Sequence, residues 1–400
     1  MGSMFSIELG EDCLRITGKT IKCDVESFPN GTISAFGDYK RSQLPGDPDI
    51  AGIGVLVGFF APCFLTIIFG LIAMFKSSFR LKHLHDRSGL PFRIYGLSLR
   101  GQASKPAIDV SDGRPSKRFE SNEVLLTSMV AFADAQMLLM LAYSINFWLR
   151  SRCIILLYHF RVVLYMNLTC CATFVVIALW LPEFWGRSGA RQMLSTILRT
   201  LFMAAVFILC IVNLLAQANV KDGRFPARDP RGNTTSSMML LPTACFLDRH
   251  VRPYALLENR TEILRGIEPY ENANSPSQML EFRLACALTV CFLFALVWQG
   301  AYWWLNRKWE VGINDSIANK PRKQKRPRCC ANFTILIWVF VWCFCFAVTT
   351  YSCYHVFSLR NWVDKSGWLR PSDTGNNPES EFVGVGQMVS VVTILGRILI

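Results

Sequence analysis

Ile50-Ala-Gly-Ile-Gly-Val-Leu-Val-Gly-Phe-Phe-Ala-Pro-Cys-Phe-Leu-Thr-Ile-Ile-Phe-Gly-Leu-Ile-Ala-Met-Phe75 runs for 26 residues without an acidic or basic side chain. An α-helix rises ~1.5 Å per residue, so about 20 apolar residues cross a hydrocarbon core of ~30 Å. Residues 162–182, 200–220, 284–306 and 329–359 also contain no Asp, Glu, Lys or Arg. Residues 124–149 contain one such charge, Asp134, and a shorter uncharged run covers 382–396. These segments are too long and too numerous for the core of a 400-residue soluble globule. The pattern predicts an all-α, polytopic membrane protein. Its bundle of about seven transmembrane helices is expected near residues 50–75, 123–149, 154–182, 198–218, 283–306, 331–358 and 382–400.

The chain is 52 % hydrophobic yet carries a net charge of +13. The basic excess sits in the connections, where the Lys/Arg bias of cytoplasmic loops accounts for it. No nucleic-acid-binding fold is legible in the polar segments, so nucleic acid is not an expected partner. The expected partner is the lipid bilayer. Of the 15 cysteines, most lie inside apolar runs and act as small hydrophobes. Cys343-Phe-Cys345 has neither His nor carboxylate beside it, and no metal or other cofactor is expected.

Charge gives the orientation. Residues 1–49 hold five Lys/Arg against eight acids, and are read as an extracellular or lumenal segment without a cleavable signal. The loop 76–122 holds ten Lys/Arg, and the loop 307–330 holds eight, including the tract 320–328. An outside N-terminus puts both basic loops in the cytoplasm. It also makes 221–283 a large outer loop and places the C-terminus inside. Met1-Gly2-Ser3-Met4-Phe5-Ser6 fits a myristoylation pattern, which would need the opposite orientation. Two basic loops outweigh one short pattern. Asn30, Asn233 and Asn259 begin sequons on the outer side and are candidate glycosylation sites. The tract 320–328 is read as a positive-inside anchor, with anionic-lipid contact as its functional reading. A plasma membrane and an endomembrane both suit this topology.

Asp134 is the deepest charge in the chain. An ionisable side chain there costs about 2.5–3.5 kcal/mol on insertion scales, so it should face other helices or water. Antiparallel depth matching predicts Asn167 as its partner, with Arg161 as a counter-charge that could instead snorkel outward. Two readings stay open: a proton, cation or ligand site at Asp134, Asn167 and Arg161, or a structural clasp between helices. Four cysteines fall on the outer side of the membrane, Cys13, Cys23, Cys153 and Cys245. Proximity suggests a Cys13–Cys23 loop and a Cys153–Cys245 bridge, although sequence does not assign connectivity.

Seven helices, an Ala131-Phe-Ala-Asp134 stretch and paired outer cysteines look superficially like a G protein-coupled receptor. The third helix lacks Asp/Glu-Arg-Tyr, the sixth lacks a proline after Trp342-Cys343, and the seventh lacks Asn-Pro-x-x-Tyr. Asp47-Pro-Asp-Ile-Ala-Gly-Ile-Gly-Val55 resembles the most recognisable motif of a group of polytopic membrane proteins common in filamentous fungi. Phe132-Ala-Asp-Ala-Gln-Met-Leu-Leu-Met-Leu-Ala142, Leu157-Tyr-His-Phe-Arg161 and Gly386-Gln387 are similar to later landmarks of that group. The resemblance implies a seven-helix, N-out architecture and brings no activity with it. Against that group, the end at Ile400 reads as truncated.

The expected function is a non-enzymatic integral membrane protein, a sensor or a transport-related component. The rival is a membrane-embedded enzyme, of cyclase or transferase type, acting on a hydrophobic metabolite. Such chemistry needs several converging acids, whereas the sequence shows only Asp134 at depth, with Glu183 at the inner edge.

Overall fold

The structure, a computed structural model, describes residues 13–18, 20–30, 32–44, 46–88, 117–149, 153–180, 190–218, 226, 229–230, 235–247, 279–316, 329–371 and 379. Among the described residues the helices are α1 (Leu14–Thr17), α2 (Pro48–Ala51), α3 (Ile53–Ser88), α4 (Lys117–Leu149), α5 (Leu157–Trp180), α6 (Ala190–Ala218), α7 (Ala244–Leu247), α8 (Leu280–Ser316) and α9 (Cys329–Ser366). Six of them, α3, α4, α5, α6, α8 and α9, are long and apolar enough to cross a membrane. This is the architecture of a multi-pass membrane protein. The expected seventh helix at 382–400 lies outside the described residues.

The uncharged runs predict where helices lie but not where they stop. α3 continues 13 residues beyond Phe75, α6 begins eight residues before 198, and α8 runs ten beyond 306. Charged residues do not end a helix; they only end its residence in hydrocarbon. At the other end the expected first helix is broken. α2 ends at Ala51, Gly52 is non-helical, and α3 starts at Ile53.

The bundle is a ring of five around one. α5 touches α3, α4, α6, α8 and α9, and those five touch one another in a closed circuit: α3–α4–α6–α8–α9–α3. Every residue of α5 from Leu157 to Leu179 is buried. Its sequence explains the position: apolar residues fall on every face, and polar side chains such as Arg161 and Tyr165 find partners inside the protein. The ring helices carry the outward stripes, such as Leu194, Leu201 and Ile208 on α6 and Val290, Leu293 and Val297 on α8. Stripes of that kind suit lipid. Trp148 Nε1 donates to Asn213 Oδ1 at 2.8 Å, tying α4 to α6. Trp342 Nε1 donates to the Ile67 carbonyl at 2.8 Å, tying α9 to α3.

One end of the bundle carries a cap. The N-terminal segment folds into an antiparallel sheet of β1 (Val25–Ser27), β2 (Ile33–Phe36) and β3 (Tyr39–Lys40). Phe36 packs edge-on against Trp368, just beyond α9, with centroids 4.9 Å apart. Leu44 exchanges backbone hydrogen bonds with Trp368 and Arg370. The apolar island at 238–246 is buried and hydrogen-bonds to the start of α5, from Leu157 N to the Leu241 carbonyl at 3.0 Å and from Thr243 N to the Ile155 carbonyl at 2.9 Å.

Two disulfides clamp this cap, and their pairing corrects the expectation. Cys13 is bonded to Cys153 and Cys23 to Cys245, each pair with Cα atoms 5.6 Å apart. The four cysteines are those singled out in the sequence, but with partners exchanged. Proximity in sequence favours the short Cys13–Cys23 loop, whereas the folded sheet lays Cys23 beside the buried island and Cys13 beside the start of α5.

Candidate functional site

The central helix brings charge into the bundle one turn below the cap. Arg161 is fully buried and donates through Nη2 to the Pro226 carbonyl at 2.7 Å. Its Nη1 lies 4.0 Å from Asp229 Oδ1 and 3.9 Å from Glu281 Oε1. Asp229 comes from the chain between α6 and α8, and Glu281 from the first turn of α8. Four residues further along α5, Tyr165 Oη is 3.0 Å from Asp229 Oδ2 and 3.1 Å from Glu281 Oε1. α9 closes the group. Tyr351 Oη donates to Glu281 Oε1 at 3.2 Å, and His355 Nδ1 is 2.6 Å from Asp229 Oδ2. The His355 ring stacks on Tyr165 with centroids 5.1 Å apart.

This cluster joins three helices and the cap residue Asp229 through six side chains. It holds two carboxylates against one guanidinium. A phenol has one O–H, so Tyr165 cannot donate to Asp229 and Glu281 at once. Asp229 Oδ1 and Arg161 Nε are buried without a hydrogen-bond partner among the described residues.

A second cluster lies at the mouth of α3. Glu379 is fully buried. Its carboxylate accepts from Tyr158 Oη at 3.0 Å and the Asp47 backbone N–H at 3.3 Å, and lies 3.0 Å from His159 Nε2. Its carbonyl accepts from the Ile53 N–H at 3.2 Å and from Arg360 Nη2 at 3.1 Å. The break at Gly52 opens the N–H of Ile53 for this contact, since the first N–H groups of a helix have no partner inside it. Asp47 and Ile53, on either side of the short helix α2, thus form the seat of Glu379.

Asp134 belongs to neither cluster, which corrects the predicted site. It forms a two-pronged ion pair with Arg199 of α6, Nε to Oδ1 at 3.1 Å and Nη2 to Oδ2 at 2.9 Å. The two side chains are 30 % and 29 % exposed, so the pair sits on the rim of the ring. Asp134 is 15 residues from the cap-side end of α4, ~22 Å, whereas Asn167 is ten residues into α5, ~15 Å. Arg161 is only ~6 Å in. Neither is at the depth of Asp134. Arg161 also does not snorkel outward. Asn167 is fully buried, and its amide atoms have no hydrogen-bond partner among the described residues.

Sequence reasoning missed most of the site. Glu281 and Arg199 lie just before uncharged runs, where a charge is expected at a helix end and signals nothing further. His355 lies in a run without Asp, Glu, Lys or Arg, and Asp229 is one acid among many in a polar connection. A usable signal was the Arg161/Tyr165 spacing, which puts both on one face of a helix that is otherwise apolar. Among the described residues no group of three or more His, Cys, Asp or Glu is placed to hold a metal ion. Asn30 is exposed in the β1–β2 turn and its Oδ1 accepts from Thr32 N at 3.0 Å. Asn233, Asn259 and the tract 320–328 lie outside the described residues.

No protein-family model, curated protein or solved structure matches the chain. The functional reading therefore rests on the geometry.

Proposed function

We propose that the protein is a multi-pass membrane sensor that reads conditions or a solute on the cap side. The observation that carries this reading is the Tyr165-centred cluster, because it is the joint between Pro226 and Asp229 of the cap and helices α5, α8 and α9. An occupant that re-pairs Arg161, Asp229 and Glu281 would change how the cap is held on the bundle. Sensing is favoured over transport because the charge ends early. Beyond Thr173, α5 continues as Phe174-Val-Val-Ile-Ala-Leu179, buried and wholly apolar, and offers no polar path onward. Intramembrane ionisable groups that converge this way are functional sites by default.

In this proposal the chain crosses seven times, counting residues 382–400, with the N-terminus outside or lumenal and the C-terminus in the cytoplasm. Disulfides persist in oxidising compartments, and both lie in the cap with the N-terminal segment. The basic loops fall on the opposite side, where the tract 320–328 meets anionic lipid. Similarity to the fungal membrane-protein group fits the same topology.

A membrane-embedded enzyme is the second reading. Its support is the convergence of Asp229, Glu281 and His355 with two tyrosines, the gathering of acids that the sequence alone did not show. One experiment separates the readings. The full chain in nanodiscs is screened by thermal shift against small solutes, and hits are followed in proteoliposomes. The sensor reading expects a solute or pH change that shifts Tm, weakened in Glu281→Gln, with neither uptake nor conversion. Concentrative uptake sinks it in favour of transport, and turnover sinks it in favour of an enzyme.

A further inference from the structure

We propose that the bundle binds water one turn below the Tyr165 cluster, bridging the hydroxyl of Thr169 on α5 to those of Ser352 and Thr349 on α9. This goes beyond the sensor reading and stands whatever occupies the cluster above it.

The three residues are fully buried, and their hydroxyls have no hydrogen-bond partner among the described residues. A threonine within a helix can satisfy its hydroxyl on the carbonyl four residues back in the same helix. Thr66, Thr173, Thr200, Thr289 and Thr350 all do so, at 2.7 to 3.0 Å. Thr169 and Thr349 do not take up that local bond, and neither does Ser352. A buried hydroxyl without any partner is unfavourable. These three are therefore turned toward something other than their own backbone.

The register of the two helices shows where they point. α5 runs from the cap into the bundle, and α9 runs back toward the cap beside it. Tyr165 sets the register, with its ring stacked on His355 at 5.1 Å and edge-on to Tyr351 at 6.2 Å. Thr169 is four residues beyond Tyr165, on the same face and ~6 Å deeper. Ser352 and Thr349 are three and six residues before His355, ~4.5 and ~9 Å deeper. Thr169 thus lies at a depth between them. Helical side chains lean toward the N-terminus of their own helix. Thr169 leans toward the cap and Ser352 away from it, so the two hydroxyls converge.

Hydroxyls that converge without bonding each other are joined by a molecule that can both donate and accept. Water fits this site. It is small, it is neutral where the trio offers no charge to balance an ion, and it needs two to four polar partners. Each of the three hydroxyls can donate one hydrogen and accept on two lone pairs. The way in is polar as well. Arg161, Tyr165, Thr169 and Thr173 follow one another at four-residue steps along α5, from the cap-side cluster to this site.

The test is a structure of the full chain in nanodiscs at a resolution that shows ordered water, with Tm measured for Thr169→Val, Thr349→Val and the double variant. Valine keeps the branched shape of threonine and removes the hydroxyl. The expected result is water density within hydrogen-bond distance of Thr169 and of Ser352 or Thr349. Each single variant should lower Tm by a few degrees, because it takes a partner from that water. The double variant should lose less than the sum of the two, since both hydroxyls act through one shared molecule. Any of four results overturns the proposal. These are hydroxyls bonded directly to each other or to a carbonyl with no density between them, density of a different molecule, strictly additive losses, and a single-variant Tm that stays level or rises. The last is the behaviour of an idle buried hydroxyl replaced by a methyl group.

Discussion

The guanidinium of Arg199 lies along the carboxylate of Asp134, two nitrogens facing two oxygens at 3.1 and 2.9 Å, and joins α4 to α6 on the rim of the ring. Removing one partner leaves the other charge at the edge of hydrocarbon. Asp134→Asn and Arg199→Gln should each destabilise the protein by roughly 2–3 kcal/mol, the scale of an unpaired intramembrane charge. The exchanged pair Asp134→Arg with Arg199→Asp should recover part of the loss. Denaturant titration in mixed micelles measures all three, and a double exchange no better than either single change would show that the pair contributes nothing.

That ion pair also marks how far the sequence could be read. Uncharged runs located the six membrane-crossing helices, because hydrocarbon tolerates few charges and the rule is local. The enclosed position of α5 was not singled out: its uncharged run at 162–182 reads like the others, and only the packing shows the helix to be central. Partners were not legible either. Asp134 was matched to Asn167 by counting residues from assumed helix ends, and α5 starts at Leu157 rather than near 154. Rotation about each helix axis then decided the matter, turning Asp134 toward α6. The Tyr165 cluster takes residues from four separated parts of the chain, and no spacing rule links Arg161 to Glu281 or His355. Only the third dimension supplies that proximity.

The Cys13–Cys153 and Cys23–Cys245 bridges close chain separations of 140 and 222 residues. Cross-links over loops this long restrict the unfolded chain strongly and typically contribute about 2–4 kcal/mol each. Cys23→Ala with Cys245→Ala should lower Tm in nanodiscs and loosen the cap while leaving the helical content of the bundle unchanged. Far-ultraviolet circular dichroism and hydrogen exchange across residues 20–44 read the two effects separately. Equal loss of protection in α5 and in the sheet would mean that cap and bundle unfold as one unit.

Glu379 takes up its buried seat through both its side chain and its backbone. Glu379→Ala leaves Tyr158 and His159 buried without their acceptor, at a cost of about 1–3 kcal/mol for each unsatisfied group. Glu379→Gln keeps one acceptor oxygen and should cost less. The order of Tm values, wild type above Gln above Ala, is the expected outcome. Equal values for Gln and Ala would assign the stabilisation to the backbone contacts with Ile53 and Arg360 alone.

Gly37 turns the chain between β2 and β3 at a φ of +58°. A methyl group there would collide with the Lys22 carbonyl, next to the Cys23 bridge. Both the left-handed backbone and the close approach demand glycine. Gly37→Ala should therefore reduce formation of the Cys23–Cys245 bond, seen as a second band on non-reducing gels. Gly18 shares a positive φ of 69° but has open space around it, so Gly18→Ala is the matched control and should leave the bridge intact.

Asn30 tests the orientation of the whole molecule. Asn30 and Thr32 of the sequon are exposed between β1 and β2, with the Thr32 hydroxyl donating to the Asn30 side chain at 2.6 Å. Oligosaccharide is added only on the lumenal side of the membrane, the same side on which disulfides form. In a glycosylating host the protein should lose mass on glycosidase treatment, and Asn30→Gln should abolish all or part of that shift. Modification of Asn314 instead, at the far end of α8, would invert the topology. It would also place both disulfides in the cytosol, where reducing agents would keep them open.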